Sequence, residues 1–385
     1  MPNSIPHPGP DPGPAVAREW DRLLGEVETL AELDLADYLS AAPRLPLDAV
    51  RGRPVSFHTP DFRHYESEEL PAARAHWPAL SITGPDCRLQ CDHCKGGVLA
   101  NMIPVTTPAL LRQRVRQLVE EGATGFLLTG GSSLQNEVPY APFWPVLAEL
   151  RREFPHLRMA CHTALMDEDS VACMTQAGID IAMLDVIGAR DTLRQVYHLR
   201  REVADFEETL ALLVASPLRV VPHIVLGLHY GYLLGEWQAL EMVARWRPDA
   251  LVLVVAMPFF AHPRRPFRIP HPAIVGRFFC HARRRLPDLP LLLGCARPPG
   301  LARHAIDALA VMAGFDGLAQ PAAGIVELAA RAGRPVRVVP ACCSTLVPEA
   351  DAGEVLDLAT LLARRVDPPR AASVRVAPPA KAARP

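Results

Sequence analysis

Between residues 78 and 320 the chain repeats one pattern eight times: a short apolar run, followed in most intervals by an amphipathic stretch of helical periodicity. The apolar runs fall at 78–83, 125–129, 157–162, 180–186, 219–227, 250–257, 290–294 and 316–320. Such alternation marks a parallel α/β fold, in which buried strands are joined by crossover helices. Eight strand–helix units predict a TIM-type barrel, either (β/α)8 or a partial (β/α)6 barrel with an extension. A doubly wound open sheet is the alternative, because periodicity does not distinguish a closed sheet from an open one. In a barrel the working residues lie on loops at the C-terminal ends of the strands.

The loop after the first run holds Cys87, Cys91 and Cys94 in the segment SITGPDCRLQCDHC, a C-x3-C-x2-C spacing with no fourth cysteine nearby. Iron–sulfur clusters are held by thiolates, one to each iron. Three cysteines on one loop therefore hold three irons of a [4Fe–4S] cube and leave the fourth open to another ligand. The alternative is a zinc site, which wants four protein ligands in a tetrahedron. His93 adjoins Cys94 and could not easily share its metal, and the next cysteine, Cys161, is remote.

The spacing, placed directly after an apolar strand, resembles the signature of the radical S-adenosylmethionine (SAM) superfamily. The resemblance implies a barrel of the radical SAM kind, with SAM chelating the open iron and an electron from the cluster releasing a 5′-deoxyadenosyl radical. Only a cofactor can supply a radical that takes hydrogen from an unactivated C–H bond. The run Gly125–Thr129 leads into Gly130, Gly131 and Ser132, which resembles the superfamily's second-strand glycine motif, where the backbone comes close to the methionyl end of SAM. A plain strand-to-helix turn is the other reading of those glycines. The run VPHIVLGLHYG, with Gly227, resembles the strand that contacts adenine. Within it His223 and His229 are candidates for substrate or the SAM carboxylate, or else structural histidines. Asp185, at the end of the fourth run, could accept the ribose hydroxyls or cap a helix.

Among the remaining cysteines, Cys173 and Cys280 sit in helical patterns and read as small apolar residues. Cys295 ends the seventh run, and Cys342 and Cys343 follow a late strand at 336–340, so these three fall where barrels keep their ligands. From Ser81 to Ser344 the chain is similar to the split, two-component lipoyl synthases. The matching runs are SITGPDCRLQCDHCKGG, LLTGGSS, AMLDVIG, VPHIVLGLHYG, LVLVVAMP, LGCARPPG and CCS. The segment Gln320–Ala323 departs from that pattern, which bears on substrate contacts there.

That resemblance implies sulfur insertion at C6 or C8 of an octanoyl chain carried on a lysine of a lipoyl-carrier domain, with a second lipoyl synthase component and a reduced electron donor as further partners. It implies an auxiliary iron–sulfur cluster as sulfur source, for which Cys295, Cys342, Cys343 and Ser344 are the candidate ligands. Two rival readings are a radical SAM enzyme acting on a free small molecule, by biotin-synthase-like chemistry or carbon-skeleton rearrangement, and a non-catalytic cluster-binding partner of a second radical enzyme.

Composition bounds the rest. The chain has 385 residues, a formal net charge of −2 and a pI near 6.7, so no global basic field invites nucleic acid. No apolar run reaches membrane-spanning length, and the N-terminus carries no charged-then-apolar signal sequence, which predicts a cytoplasmic protein without a membrane partner. Nine cysteines in a reducing compartment read as thiols or metal ligands. Residues 1–14 and 367–385 are rich in proline and predicted disordered, flanking a helical extension at 15–77, the barrel domain at 78–344 and a helical segment at 345–366. The loop Phe259–Pro272, with Arg264, Arg265 and Arg268, would offer cations to a docking partner or simply be solvated.

Overall fold

The computed structural model describes residues 13–60, 69–70, 77–257, 264–345 and 354–361. Its strands are β1 (Val55–His58), β2 (Ala79–Ser81), β3 (Ile103–Pro104), β4 (Gly125–Thr129), β5 (Arg158–Thr163), β6 (Ile181–Leu184) and β7 (Arg219–Val220). They continue with β8 (His223–Leu226), β9 (Leu251–Val255), β10 (Leu291–Leu293), β11 (Gly317–Ala319), β12 (Val336–Val339) and β13 (Glu354–Leu356). Each of the eight apolar runs has become a strand, the fifth split into β7 and β8.

The sheet order is β3-β2-β4-β5-β6-β7, then β8-β9-β10-β11-β1-β12-β13, and every ladder is parallel except β12 with β13. The two parts meet at Pro222. A proline has no N–H to give a ladder, so the strand breaks there. Pairing still crosses the break: Val221 N donates to Ala182 O at 2.9 Å, Val186 N to His223 O at 2.8 Å and Val252 N to Pro222 O at 2.9 Å. Among the described residues no ladder joins the β2–β3 edge to the β12–β13 edge, so the fold is a partial TIM-type barrel. All five residues of β9 are buried, as a parallel strand covered on both faces requires.

The N-terminal extension differs from its expectation in two ways. Its first part is broken into three short helices, Pro14–Glu26, Glu28–Ala31 and Leu35–Tyr38. Val27 leaves the helix for an extended conformation and is fully buried, and Asp34 takes a left-handed one at φ 48°, which ends a helix locally. The extension is also not wholly helical, because β1 threads between β11 and β12, pairing Ser56 with Gly317 on one side and with Arg337 on the other. Trp20, fully buried, fixes the first helix by donating from Nε1 to Leu45 O at 2.8 Å.

At the C-terminal end, the expected helical segment contains β13, which extends the edge of β12, and a helical turn at 358–361. The segments predicted to be disordered lie almost wholly outside the described residues, as do residues 259–263 of the basic loop. No helix among the described residues is long and apolar enough to cross a membrane.

Candidate active site

Side chains of β2, β4, β5, β6, β8 and β9 and of the loops that follow them surround a cavity of about 330 Å³, a size typical of small-molecule sites. Cys87, Cys91 and Cys94 line it from the loop after β2, near one edge of the sheet. Cys342 and Cys343 line it from the turn after β12, near the other edge, and Cys295 from the loop after β10. Curling of the open sheet thus brings six distant cysteines to one space. Leu127, Met183, Val225 and Val254 give that space apolar walls.

Gly130, Gly131 and Ser132 also line the cavity, and they hold the first cysteine loop. A Cβ on Gly131 would lie 2.5 Å from Cys87 Cα, so only glycine lets the loop pack here. Gly131 N donates to Thr83 Oγ1 at 2.7 Å, and Ser132 O accepts from Arg88 N and Leu89 N at 3.1 Å each. Burial drives the Cys91 thiol well up, and the neighbouring Cys94 and Cys87 push the same way. Burial works against ionisation of Cys94 too, but the His93 imidazole beside it outweighs burial and brings that thiol down.

Cys91, raised by burial and by its two neighbours, becomes a thiolate beside them only with cations in place, which is what irons supply. Among the described residues no three His, Cys, Asp or Glu side chains converge on a single-ion site. Thiolates that each take a different iron need no such convergence. The loop fits an iron–sulfur cluster.

Asp92, between two of these cysteines, is a latch. It is buried, and its carboxylate accepts from Lys95 Nζ at 2.6 Å, His198 Nε2 at 3.1 Å, Tyr230 OH at 3.0 Å and Arg265 Nη1 at 3.3 Å. Burial opposes its charge, yet the bonds from Lys95, His198 and Tyr230 bring its pKa down to about 2. Nothing local in the sequence announces this, since its partners other than Lys95 come from remote segments.

A polar island interrupts the apolar walls. Asp185 lies 3.6 Å from His162 Nε2, and the rings of His162 and His223 meet edge to face at 5.2 Å. Burial opposes charge on both members of the first pair, but each favours the charged form of the other: Asp185 is shifted down and His162 up. Burial and the adjacent His162 bring His223 down to about 4, so it stays neutral. His162 escaped the sequence reading. It sits one residue from the end of β5, and that position in a barrel strand was the available signal.

The second cysteine set is arranged differently. The hydrogen bond from Cys343 lowers Cys342 to about 6 against the opposing effect of burial, with Ser344 and His162 helping. Donation to Cys342, and burial, drive Cys343 far up. Ser344 Oγ lies 3.1 Å from Cys342 Sγ, buried behind the cavity lining. Behind Cys295, Arg297 and Asp307 form a fully buried ion pair. Arg297 also donates to Gly294 O at 2.5 Å, Ala319 O at 2.7 Å and Gln320 O at 2.9 Å, while Asp307 accepts from Ala322 N at 2.7 Å.

Gly227 and His229 are not in the cavity lining. Gly227, at φ 78°, turns the chain beneath Pro270, and its N–H donates to the buried Glu236 at 2.9 Å. His229 Nδ1 meets Thr192 Oγ1 at 3.2 Å.

No family model matches this chain, and no curated protein matches it. Solved structures do. HydG, a maturase of the [FeFe]-hydrogenase, aligns with a TM-score of 0.52 at 13% identity, over 84% of this chain and 74% of that one. Methylornithine synthase PylB aligns at 0.47 with 14% identity, over 91% of each chain. Streptococcus suis SuiB bound to S-adenosylmethionine aligns at 0.46 with 11% identity, over 77% of this chain and 67% of its own. The likeness to HydG is one of fold, and with the strand order above it establishes the chain as a partial α/β barrel of that architecture.

Proposed function

We propose that the chain is a radical SAM sulfurtransferase of the lipoyl synthase kind, one component of a split enzyme that inserts sulfur at C6 or C8 of a protein-bound octanoyl chain. The observation that carries this reading is the meeting of two three-cysteine sets in one apolar cavity. Cys87, Cys91 and Cys94 hold the [4Fe–4S] cluster in this reading, and Cys295, Cys342 and Cys343, backed by Ser344, hold the auxiliary one. When bound, the first cluster with SAM supplies a carbon radical able to take hydrogen from an unactivated C–H bond, and the second supplies sulfide.

The chain's own groups then bind and orient. Gly130–Ser132 fixes the first loop, and Asp185, kept ionised by His162, accepts hydroxyl donors. The walls around Met183 and Val254 suit an alkyl chain and exclude water. Arg265, with its side chain 57% exposed, offers charge to an acidic carrier surface. A second reading, a radical SAM enzyme acting on a free small molecule, draws support from the modest volume of the cavity, about 330 Å³.

Anaerobic reconstitution followed by an assay for 5′-deoxyadenosine tests the reading. About eight irons per chain are expected for two cubes, and about four after Cys295, Cys342 and Cys343 are replaced by alanine. That variant should still cleave SAM and transfer no sulfur. Replacement of Cys87, Cys91 and Cys94 should abolish cleavage; cleavage at the parental rate would overturn the assignment. Turnover of free octanoate in preference to a carrier-bound chain would favour the second reading.

A further inference from the structure

Tyr197 is a buried polar group that the fold does not account for. The residue is 5% exposed and lines the cavity, yet its hydroxyl is sealed from solvent and has no hydrogen-bond partner among the described residues. A buried hydroxyl left unpaired has lost its bonds to water and gained none, so it calls for a missing acceptor or donor. Tyr140 shows the usual outcome. Equally buried, its hydroxyl lies 3.0 Å from both Leu128 O and His162 O.

The surroundings of Tyr197 say what is missing. Its ring stands 5.1 Å from His93, the residue between Asp92 and Cys94. Burial and the negative charges of Asp185, Cys91 and Cys94 drive its phenol well above the ordinary range, so the oxygen keeps its proton. The charges that reach it, thiolate sulfur of the cysteine loop and the carboxylate of Asp185, all belong to groups that accept hydrogen bonds.

We propose that the Tyr197 hydroxyl donates a hydrogen bond to sulfur of the iron–sulfur group held by Cys87, Cys91 and Cys94, and so sets that group's reduction potential. The inference rests on the cluster reading above. A donor aimed at cluster sulfur stabilises the reduced form, which carries more negative charge, and therefore raises the potential. Tyr197 is a positioning and tuning residue on this account. It touches the cluster and takes no part in bond making.

The test uses the full chain with two single variants, Tyr197→Phe and Tyr140→Phe, each studied cluster-free by thermal melting and reconstituted by redox titration with electron paramagnetic resonance. Tyr197→Phe is expected to move the midpoint potential to a more negative value while the cluster-free protein melts no lower than the parent, because the lost hydroxyl had no partner in the fold. Tyr140→Phe should do the reverse, lowering the melting temperature and leaving the potential in place. An unchanged potential in Tyr197→Phe, or a lower melting temperature of that variant without cluster, would overturn the inference alone. Failure of the parent to take up iron at the three cysteines would overturn it together with the functional reading.

Discussion

The two cysteine stations share a cavity but are secured from opposite directions. The loop of Cys87, Cys91 and Cys94 is held largely from outside, by Asp92 and four donors of which Arg265 and His198 are substantially exposed. The station of Cys295, Cys342 and Cys343 is backed from inside, by an Arg297–Asp307 pair with no exposure at all. An outer latch lies within reach of solvent and of anything that docks. An inner pair has left water entirely and serves only while every bond is made. The comparison teaches that the first loop can loosen without the barrel, whereas the second cannot.

The largest effect expected from that contrast is in Asp307→Ala. The variant strands the Arg297 charge in the core, and breaking a buried pair in this way costs about 3–5 kcal/mol. Denaturant unfolding of the cluster-free protein measures it. A loss below about 1 kcal/mol would mean that water reaches Arg297, and the inside–outside distinction would fail.

The next effect is set by pH. His58, fully buried beside the backbone of Ala341 and Cys342, has its pKa lowered by burial to about 4, and His223 is likewise lowered to about 4. Both are neutral in the fold, whereas in the unfolded chain each takes a proton near pH 6.5. Stability is therefore full above pH 6.5 and falls as the pH drops from there towards 4. At pH 5 each histidine should account for about 2 kcal/mol of the loss. Melting of the cluster-free protein between pH 7.5 and 5 should show the decline, and His58→Gln should flatten it. An equal slope in parent and variant would remove His58 from the account.

Asp92→Asn should have the smallest effect, about 1–2 kcal/mol, because solvent already shares three of its partners. The loss should be local. Amides of residues 87–96 and 228–232 should exchange faster, with those of β9 unchanged. Faster exchange throughout the barrel would show that the outer latch carries the fold as well, and the comparison would need redrawing.

Much of this architecture could be read from the residues. The barrel strands are legible because a parallel strand buried on both faces must be a continuous apolar run, as Leu251–Val255 is. The glycines after β4 and the spacing of the cysteine loop are local patterns that survive without coordinates. What stayed hidden depends on distant pairing. β1 is only four residues long, with Ser56 and His58 alternating against Val55 and Phe57, and it becomes a strand because β11 and β12 flank it. Of the two breaks between the N-terminal helices, the first follows from burial of Val27, which no helical periodicity records, and the second from the left-handed turn at Asp34. His162, Tyr197 and the grip on Asp92 are products of tertiary approach, with Tyr230 lying 138 residues along the chain from the carboxylate it meets.

The insertion of β1 between β11 and β12 also decides the order in which the molecule can be completed during synthesis. A strand made early must wait for neighbours made late: Arg334 Nη2, which anchors the start of β12, donates to Pro54 O across 280 residues. Contacts of such long sequence separation are slow to form. Until residue 339 has left the ribosome, the half-built sheet presents the rim of β1 without its partner β12, a template for wrong pairing. Nascent chains of this protein should therefore depend on chaperone cover until that late stage, and truncation just before β12 should yield aggregates in place of a smaller barrel.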